Sequence, residues 1–264
     1  MHLSKFLMIS RITSFNIVSL ALVSISSLLI ASTAQSQISA FNVNADADGF
    51  TGWTEQNTSG TASQNGRFIG SSGTGLDVNG DAWGLYANSN QTAANVYTFG
   101  GSLGVGETVS IDISLGFIDT GGTVGFGLQN SSGTNRLETY YIGGSTDSWK
   151  INDAGGQEDI TGPSTSFVNS SWSNNNFLEF QFTQLASNEY ALSIGGSAIT
   201  NSNLTLAASD ISQIRIFNFN AGSNGVGGHD QYFNSLEVVP EPSSFALIAG
   251  FLGFIYIAVR RRGV

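Results

Sequence analysis

The chain has no cysteine, and only 11% of its 264 residues are charged. The first lack removes disulfide cross-links, thiol nucleophiles and thiolate-held zinc or iron–sulfur centres together. It does not exclude export, because a domain of roughly 200 residues buries enough apolar surface to stand without cross-links. Basic residues are scarce in a particular place: between Phe41 and Val239 only Arg67, Arg136, Lys150 and Arg215 occur. So few cations cannot neutralise a phosphate backbone, which excludes nucleic acid as a partner. Histidine is almost missing too. Outside the first segment only His229 could serve as the base of a Ser-His-Asp set, and beside Gly228 it reads as a solvated loop residue.

What is abundant is glycine, 33 residues, with serine, threonine and asparagine filling much of the remainder. The surface is therefore made polar by hydroxyls and amides. A net charge of −10 suits divalent cations or neutral sugars better than anions. Two glycine-rich stretches, 70–75 and 100–106, lack the lysine of a phosphate loop and open no helix, so they are turns.

The chain divides into three parts by hydrophobicity. Residues 1–36 carry Lys5 and Arg11, then an apolar run from Ile17 to Ile30, then small residues that fit cleavage after Ala34 or Ser36, the order of a secretory signal helix. Residues 37–239 alternate with a period of two. Val109, Ile111, Ile113, Leu115 and Phe117 are apolar while Ser110, Asp112, Ser114 and Gly116 are not, and Val124, Phe126 and Leu128 repeat the pattern after the turn at Asp119 to Gly122. Those two strands read as a hairpin. Leu178, Phe180 and Phe182 alternate again, and further strands are expected at 83–87, 95–99, 136–142, 148–151, 189–194, 214–219 and 232–238. About ten strands without helix-period segments between them predict an all-β fold, a two-sheet antiparallel sandwich of jelly-roll or concanavalin-like type.

The third part, residues 240–264, reads Pro240-Glu241-Pro242, then apolar residues from Phe245 to Val259 within a predicted transmembrane helix over 243–259, then Arg260, Arg261 and Arg262. The prolines keep the entry extended, and the arginines hold their end on the cytoplasmic side. This tripartite ending resembles the PEP-CTERM sorting domain of exported Gram-negative proteins. The resemblance implies that Pro240, Glu241 and Pro242 are read by an exosortase, that signal peptidase acts at the other end, and that the protein reaches the cell surface or extracellular matrix after transient anchoring in the inner membrane. It also implies association with exopolysaccharide. A plain tail anchor is the alternative reading of the same residues.

Within the sandwich, the segment from Phe41 to Trp53 resembles the first strand of carbohydrate-binding jelly rolls, and that from His229 to Val238 their last strand. In such folds the two lie side by side, so Asp46, Asp48 and Asp230 are candidates for a structural calcium site, against the reading that they are turn aspartates bonding their own backbone. Trp149 and Trp172, flanked by Asn, Ser and Gly, are the candidates for stacking on sugar rings, with Trp53, Trp83, Tyr140 and Tyr141 as further aromatics. Glycoside cleavage needs two carboxylates across a cleft. The Glu-x-Asp-x-x-Glu string of laminarinase-like enzymes is missing, which leaves Asp112, Glu138 and Glu179 as the carboxylates to test. The expectation is a non-catalytic exported surface or matrix protein with carbohydrate binding. Its rival is a divergent glycan hydrolase or lyase of lectin-like fold.

Overall fold

Period-two stretches become strands because alternation gives each one apolar face for a shared core while its backbone pairs with a neighbour. A computed structural model describes residues 38–56, 64–144, 149–162, 177–222 and 228–240. The signal segment, Trp172 and the tail beyond Pro240 lie outside these residues. Among the described residues, no helix is long and apolar enough to cross a membrane.

The described strands form two sheets in which every strand pairing is antiparallel. Sheet one runs β13 (Ser197–Ala198), β12 (Tyr190–Ile194), β11 (Leu178–Gln184), β6 (Thr108–Leu115), β15 (Gln231–Val239), β4 (Ala82–Ala87) and β3 (Asn65–Gly70), with β1 (Phe41–Val43) also paired to β15. Sheet two runs β10 (Gly156–Asp159), β9 (Lys150–Asp153), β8 (Asn135–Ile142), β7 (Thr123–Gln129), β14 (Gln213–Phe219), β5 (Thr92–Thr98) and β2 (Trp53–Glu55). The all-β two-sheet antiparallel sandwich is thus as expected, and so is the neighbourhood of the first and last strands, with Phe41 opposite Val238.

The expected hairpin is not there. β6 belongs to sheet one and β7 to sheet two. The connection first bonds the lead-in of β15, through Gly116 N–H to Asp230 C=O at 2.8 Å. It then bonds the exit of β14, through Asp119 N–H to Ala221 C=O at 2.8 Å. The backbone groups of this stretch therefore find partners in each sheet in turn, and the Gly-Gly turn serves a crossover. Phe117 also departs from its predicted inward place: β6 has ended, and the ring is 43% exposed, edge-on to His229.

The core lies between the sheets. Val109, Ile111 and Ile113 of β6, Phe180 and Phe182 of β11, and Phe233 of β15 meet Val124, Phe126 and Leu128 of β7 and Ile214 and Ile216 of β14. Phe126 and Phe180 cross from sheet to sheet with ring centroids 5.3 Å apart. Trp53 and Trp83 lie 5.2 Å apart and both reach Phe233. Two buried amides also span the interior, Gln231 donating to Gly125 C=O at 3.1 Å and Asn218 to Leu85 C=O at 3.0 Å. A buried amide without a partner costs about 1–3 kcal/mol, so these bonds fix the position of each sheet against the other.

Candidate functional site

Opposite the inward residues, the strand period places the alternate set on the outer side of each sheet, where Gln129, Gln213, Tyr140 and Phe217 are nonetheless buried by their neighbours. On sheet two this outer set is Glu138, Tyr140 and Ile142 of β8, Gly125, Gly127 and Gln129 of β7, and Gln213, Arg215, Phe217 and Phe219 of β14. The register lines them up across the strands. Glu138, Gly127 and Arg215 form one row, and Lys150, Tyr140, Gly125, Phe217 and Ala94 the next. Tyr140, Phe217 and Ala94 pack together with Ile142 as a small apolar cluster separate from the main core. Beside it Phe219 is 36% exposed.

Glycine at 125 and 127 shapes this face. A Cβ on Gly125 would stand 2.2 Å from Thr139 C=O, so β7 and β8 approach too closely there for any side chain. A Cβ on Gly127 would stand 3.0 Å from Asn135 Oδ1. The space over Gly127 is therefore taken by the Asn135 amide, with Glu138 on the strand to one side and Arg215 on the strand to the other.

Three amides hold Glu138. Gln213 Nε2 donates to Gln129 Oε1 at 3.0 Å, Gln129 Nε2 to Asn135 Oδ1 at 2.7 Å, and Asn135 Nδ2 to Glu138 Oε1 at 3.1 Å. Each donation orients the next amide, so the relay points a donor at one carboxylate oxygen. Arg215 lies with its guanidinium carbon 5.1 Å from the centre of the Phe217 ring. Glu138 and Arg215 form no ion pair within 4.0 Å, and among the described residues the Arg215 guanidinium makes no hydrogen bond and Glu138 Oε2 accepts none. Burial raises the Glu138 pKa, with Arg215 and Asn135 opposing; burial also lowers that of Arg215, with Glu138 opposing. Both charges are thus partly stripped of water without being joined.

Sheet one presents a second polar face. Asp112 of β6 stands opposite Glu179 of β11 on one side and Asn234 of β15 on the other. Facing residues on antiparallel strands bring Cβ atoms to about 4.5–5.5 Å. Burial pushes the Asp112 carboxyl up to about 6; the Ser235 hydroxyl opposes this and the Glu179 charge adds to it. Ser235 has φ 53°, in the left-handed region, where β15 bulges between Asn234 and Glu237. One row along, Tyr232 faces Ser114 and Gly84, and Phe68 folds over Gly84 to meet Tyr232 edge-on at 5.6 Å.

The sequence-predicted residues scatter. Trp149 is 0% exposed and packs against Phe180 at 4.7 Å, between the sheets, so it cannot stack on a ligand. Its polar neighbours suggested a loop, but the ring turns inward where its large apolar area is worth most. Trp172 lies outside the described residues, and Trp53 and Trp83 are core. Asp46, Asp48 and Asp230 do not converge. Asp48 accepts from Asn44 N–H and Asn44 Oδ1 accepts from Ala47 N–H, both at 2.9 Å, a capping box around the one-turn helix α1 (Ala45–Asp48). Asp46 accepts from Asn79 at 2.8 Å. The start of α1 is bonded to Asn234, whereas Asp230 lies four residues up the strand, about 13 Å away. Among the described residues no three His, Asp or Glu side chains are grouped to hold a metal. Of the three carboxylates singled out for cleavage chemistry, Asp112 and Glu179 come together and Glu138 is on the other sheet. His229 is not a solvated loop residue: its ring is largely covered, with Nδ1 3.1 Å from Ala221 C=O and 3.6 Å from Asp119. Pro240 is the last described residue of the tail.

The site residues that sequence reading passed over are Arg215, Gln129, Asn135 and Gln213. Arg215 carried a signal, a lone charge between Ile214 and Ile216 in a chain nearly devoid of cations. The amides carried none, since the chain is full of them.

No protein-family model matches the sequence, and no curated relative does. Solved structures share the fold. The apo Crh5 transglycosylase superposes with a TM-score of 0.50 at 11% identity, over 78% of this chain and 87% of that one. The cellulose-induced protein Cip1 gives 0.49 at 10% identity over 75% and 96%, and a family 16 endo-glucanase from Bacteroides ovatus 0.45 at 13% over 76% and 99%. At these identities the likeness is one of architecture: the chain is a two-sheet antiparallel β-sandwich of the jelly-roll, lectin-like kind.

Proposed function

We propose that this is an exported, PEP-CTERM-sorted surface or matrix protein whose sandwich binds extracellular polysaccharide without cleaving it. The observation that carries the reading is the solvent face of sheet two. There the exposed Phe219 and the partly buried Ile142, backed by the buried rings of Tyr140 and Phe217, border a strip of amides and charges. A sugar ring offers the matching pair of surfaces, an apolar C–H face and a hydroxyl rim. The architecture shared with the Crh5 transglycosylase fits a carbohydrate-related role. The signal segment and the Pro-Glu-Pro tail supply the route to the surface, with signal peptidase and an exosortase as transient partners.

The test is affinity electrophoresis of the protein, purified as its cell processes it, through gels carrying purified polysaccharides. At least one polymer should retard it, and Phe219→Ala should relieve the retardation. Migration unchanged in every polymer would overturn the reading. Recovery of the protein from the cytosol with Arg260 to Arg262 intact would overturn the export half of it.

A second reading has one observation in its favour, the facing pair Asp112 and Glu179 with Asp112 held near half-protonation at about pH 6. One protonated and one ionised carboxyl side by side is the arrangement glycoside cleavage uses. Release of reducing ends from a glycan, abolished by Asp112→Asn, would support it. A protein that binds a polymer but releases none leaves the binding role alone.

A further inference from the structure

Three of the four basic residues between Phe41 and Val239 stand on the same side of the sandwich, on or beside the solvent face of sheet two. Arg136 is locked to Asp210 by two bonds, Nε to Oδ1 at 2.6 Å and a terminal nitrogen to Oδ2 at 2.8 Å. Lys150 pairs with Asp159. Arg215 alone of the three is left without a hydrogen bond among the described residues, and the nearest opposite charge, Glu138, stays beyond ion-pair distance while its Oε2 accepts nothing. An arginine and a glutamate partly stripped of water, close enough to feel each other and not joined, hold open donor and acceptor positions that folding has not used.

We infer that Glu138 and Arg215 together read two neighbouring hydroxyls of a neutral sugar in the polysaccharide that this face binds. The inference rests on the carbohydrate-binding reading above and narrows it to a substrate class. A hydroxyl both donates and accepts, so one can donate to Glu138 Oε2 while its neighbour accepts from Arg215. The Gln213–Gln129–Asn135 relay occupies Glu138 Oε1, which leaves Oε2 as the oxygen turned to the ligand. Gly127 brings no side chain of its own between the two groups, where the Asn135 amide lies, so a sugar would rest across Glu138 and Arg215, with the exposed Phe219 ring further along the same face.

Charge decides against an acidic sugar. Glu138 cancels Arg215, Asp159 cancels Lys150, and Asp210 cancels Arg136, so the face is balanced within a chain of net charge −10. A uronate carries a carboxylate in place of the hydroxymethyl group on the same ring, and so close to Glu138 two like charges repel in a half-dry site.

Isothermal titration of the processed protein with a neutral polymer, dextran or a β-glucan, and with an anionic one, alginate, tests this. Binding should favour a neutral polymer and change little between low and physiological salt. Glu138→Gln and Arg215→Gln should each weaken it about ten-fold, the double variant little more than either, because both act on one diol. A free methyl glycoside bearing vicinal hydroxyls should compete for the unmodified protein, whatever the variants do to folding. Preference for alginate, binding abolished by salt, or neutral-polymer affinity untouched in both variants would overturn the inference and leave carbohydrate binding standing. Failure to bind any polymer would overturn both.

Discussion

The two outer faces of the sandwich are built from the same materials, carboxylates beside aromatic rings on a glycine-spaced sheet, and arrange them in opposite ways. On sheet one two like charges, Asp112 and Glu179, face each other across neighbouring strands, and the strain of φ 53° at Ser235 sits beside them. On sheet two unlike charges, Glu138 and Arg215, stand two strands apart with a glycine between. Asp112, stripped of water by burial and facing the Glu179 charge besides, is driven toward taking up a proton. Separated unlike charges leave donor and acceptor positions open, which in the proposal above the hydroxyls of a sugar fill. The first face thus responds to pH, and in the proposal above the second responds to a ligand.

The largest effect expected is steric and separates the faces by what their glycines touch. Gly125→Ala would press a methyl against the Thr139 carbonyl, backbone that cannot move without parting β7 from β8, and should lower unfolding free energy by about 3 kcal/mol. Gly84→Ala on sheet one would meet the tip of the Phe68 ring at 2.3 Å, which can swing aside, and should cost only about 1 kcal/mol. Urea unfolding of the two variants reads the difference, and equal losses would break the contrast.

Next comes the pH dependence of sheet one. The Asp112 pKa is raised in the folded state to about 6, above the ordinary carboxylate range, so the folded chain holds this proton more tightly than the unfolded chain does. Its contribution favours folding at low pH and is lost as pH rises from about 4 through about 6. Asp112→Asn removes the ionised form altogether. It should raise stability at pH 7.5 by about 1 kcal/mol, allowing for solvent screening at this half-buried site, and change nothing near pH 4. Glu138→Gln, by contrast, should shift stability at pH 7.5 by less than about 0.5 kcal/mol, because it relieves a buried charge and deprives Arg215 of its neighbour at once. Melting curves of both variants across this range would sharpen the comparison, and a rise for Glu138→Gln as large as for Asp112→Asn would break it.

The smallest effect lies at the rim of sheet two. Arg136 and Asp210 make a two-pronged pair, which holds the Asp210 carboxyl below its ordinary pKa, with Asp210 about half exposed. Asp210→Asn should cost about 0.5 kcal/mol, mostly lost in 1 M salt. Insensitivity to salt would mean that the pair is drier than its exposure indicates.

Much of the fold was legible in the sequence for a local reason. A strand half in water must alternate, so Val109, Ile111 and Ile113 announced both their strand and the face that enters the core. What alternation cannot report is the partner. The 109–117 and 124–128 stretches have the look of a hairpin, yet the chain between them bonds first to β15 and then to β14. Those partners are more than 90 residues away in sequence. Trp149 failed for a related reason. Flanking polarity describes the neighbours of a residue, whereas burial depends on whether a second sheet passes over it.

The amino-acid sequence by itself determined the strand periodicity, the acidic and cation-poor surface, and hydrophobic ends marked by charge, because each follows from neighbours along the chain. Only the tertiary structure decided that Glu138 and Arg215, 77 positions apart, flank Gly127, and that Asp112 and Glu179, 67 apart, face each other. Such pairings depend on strand order and register. These are settled by how whole sheets bury their apolar faces against each other.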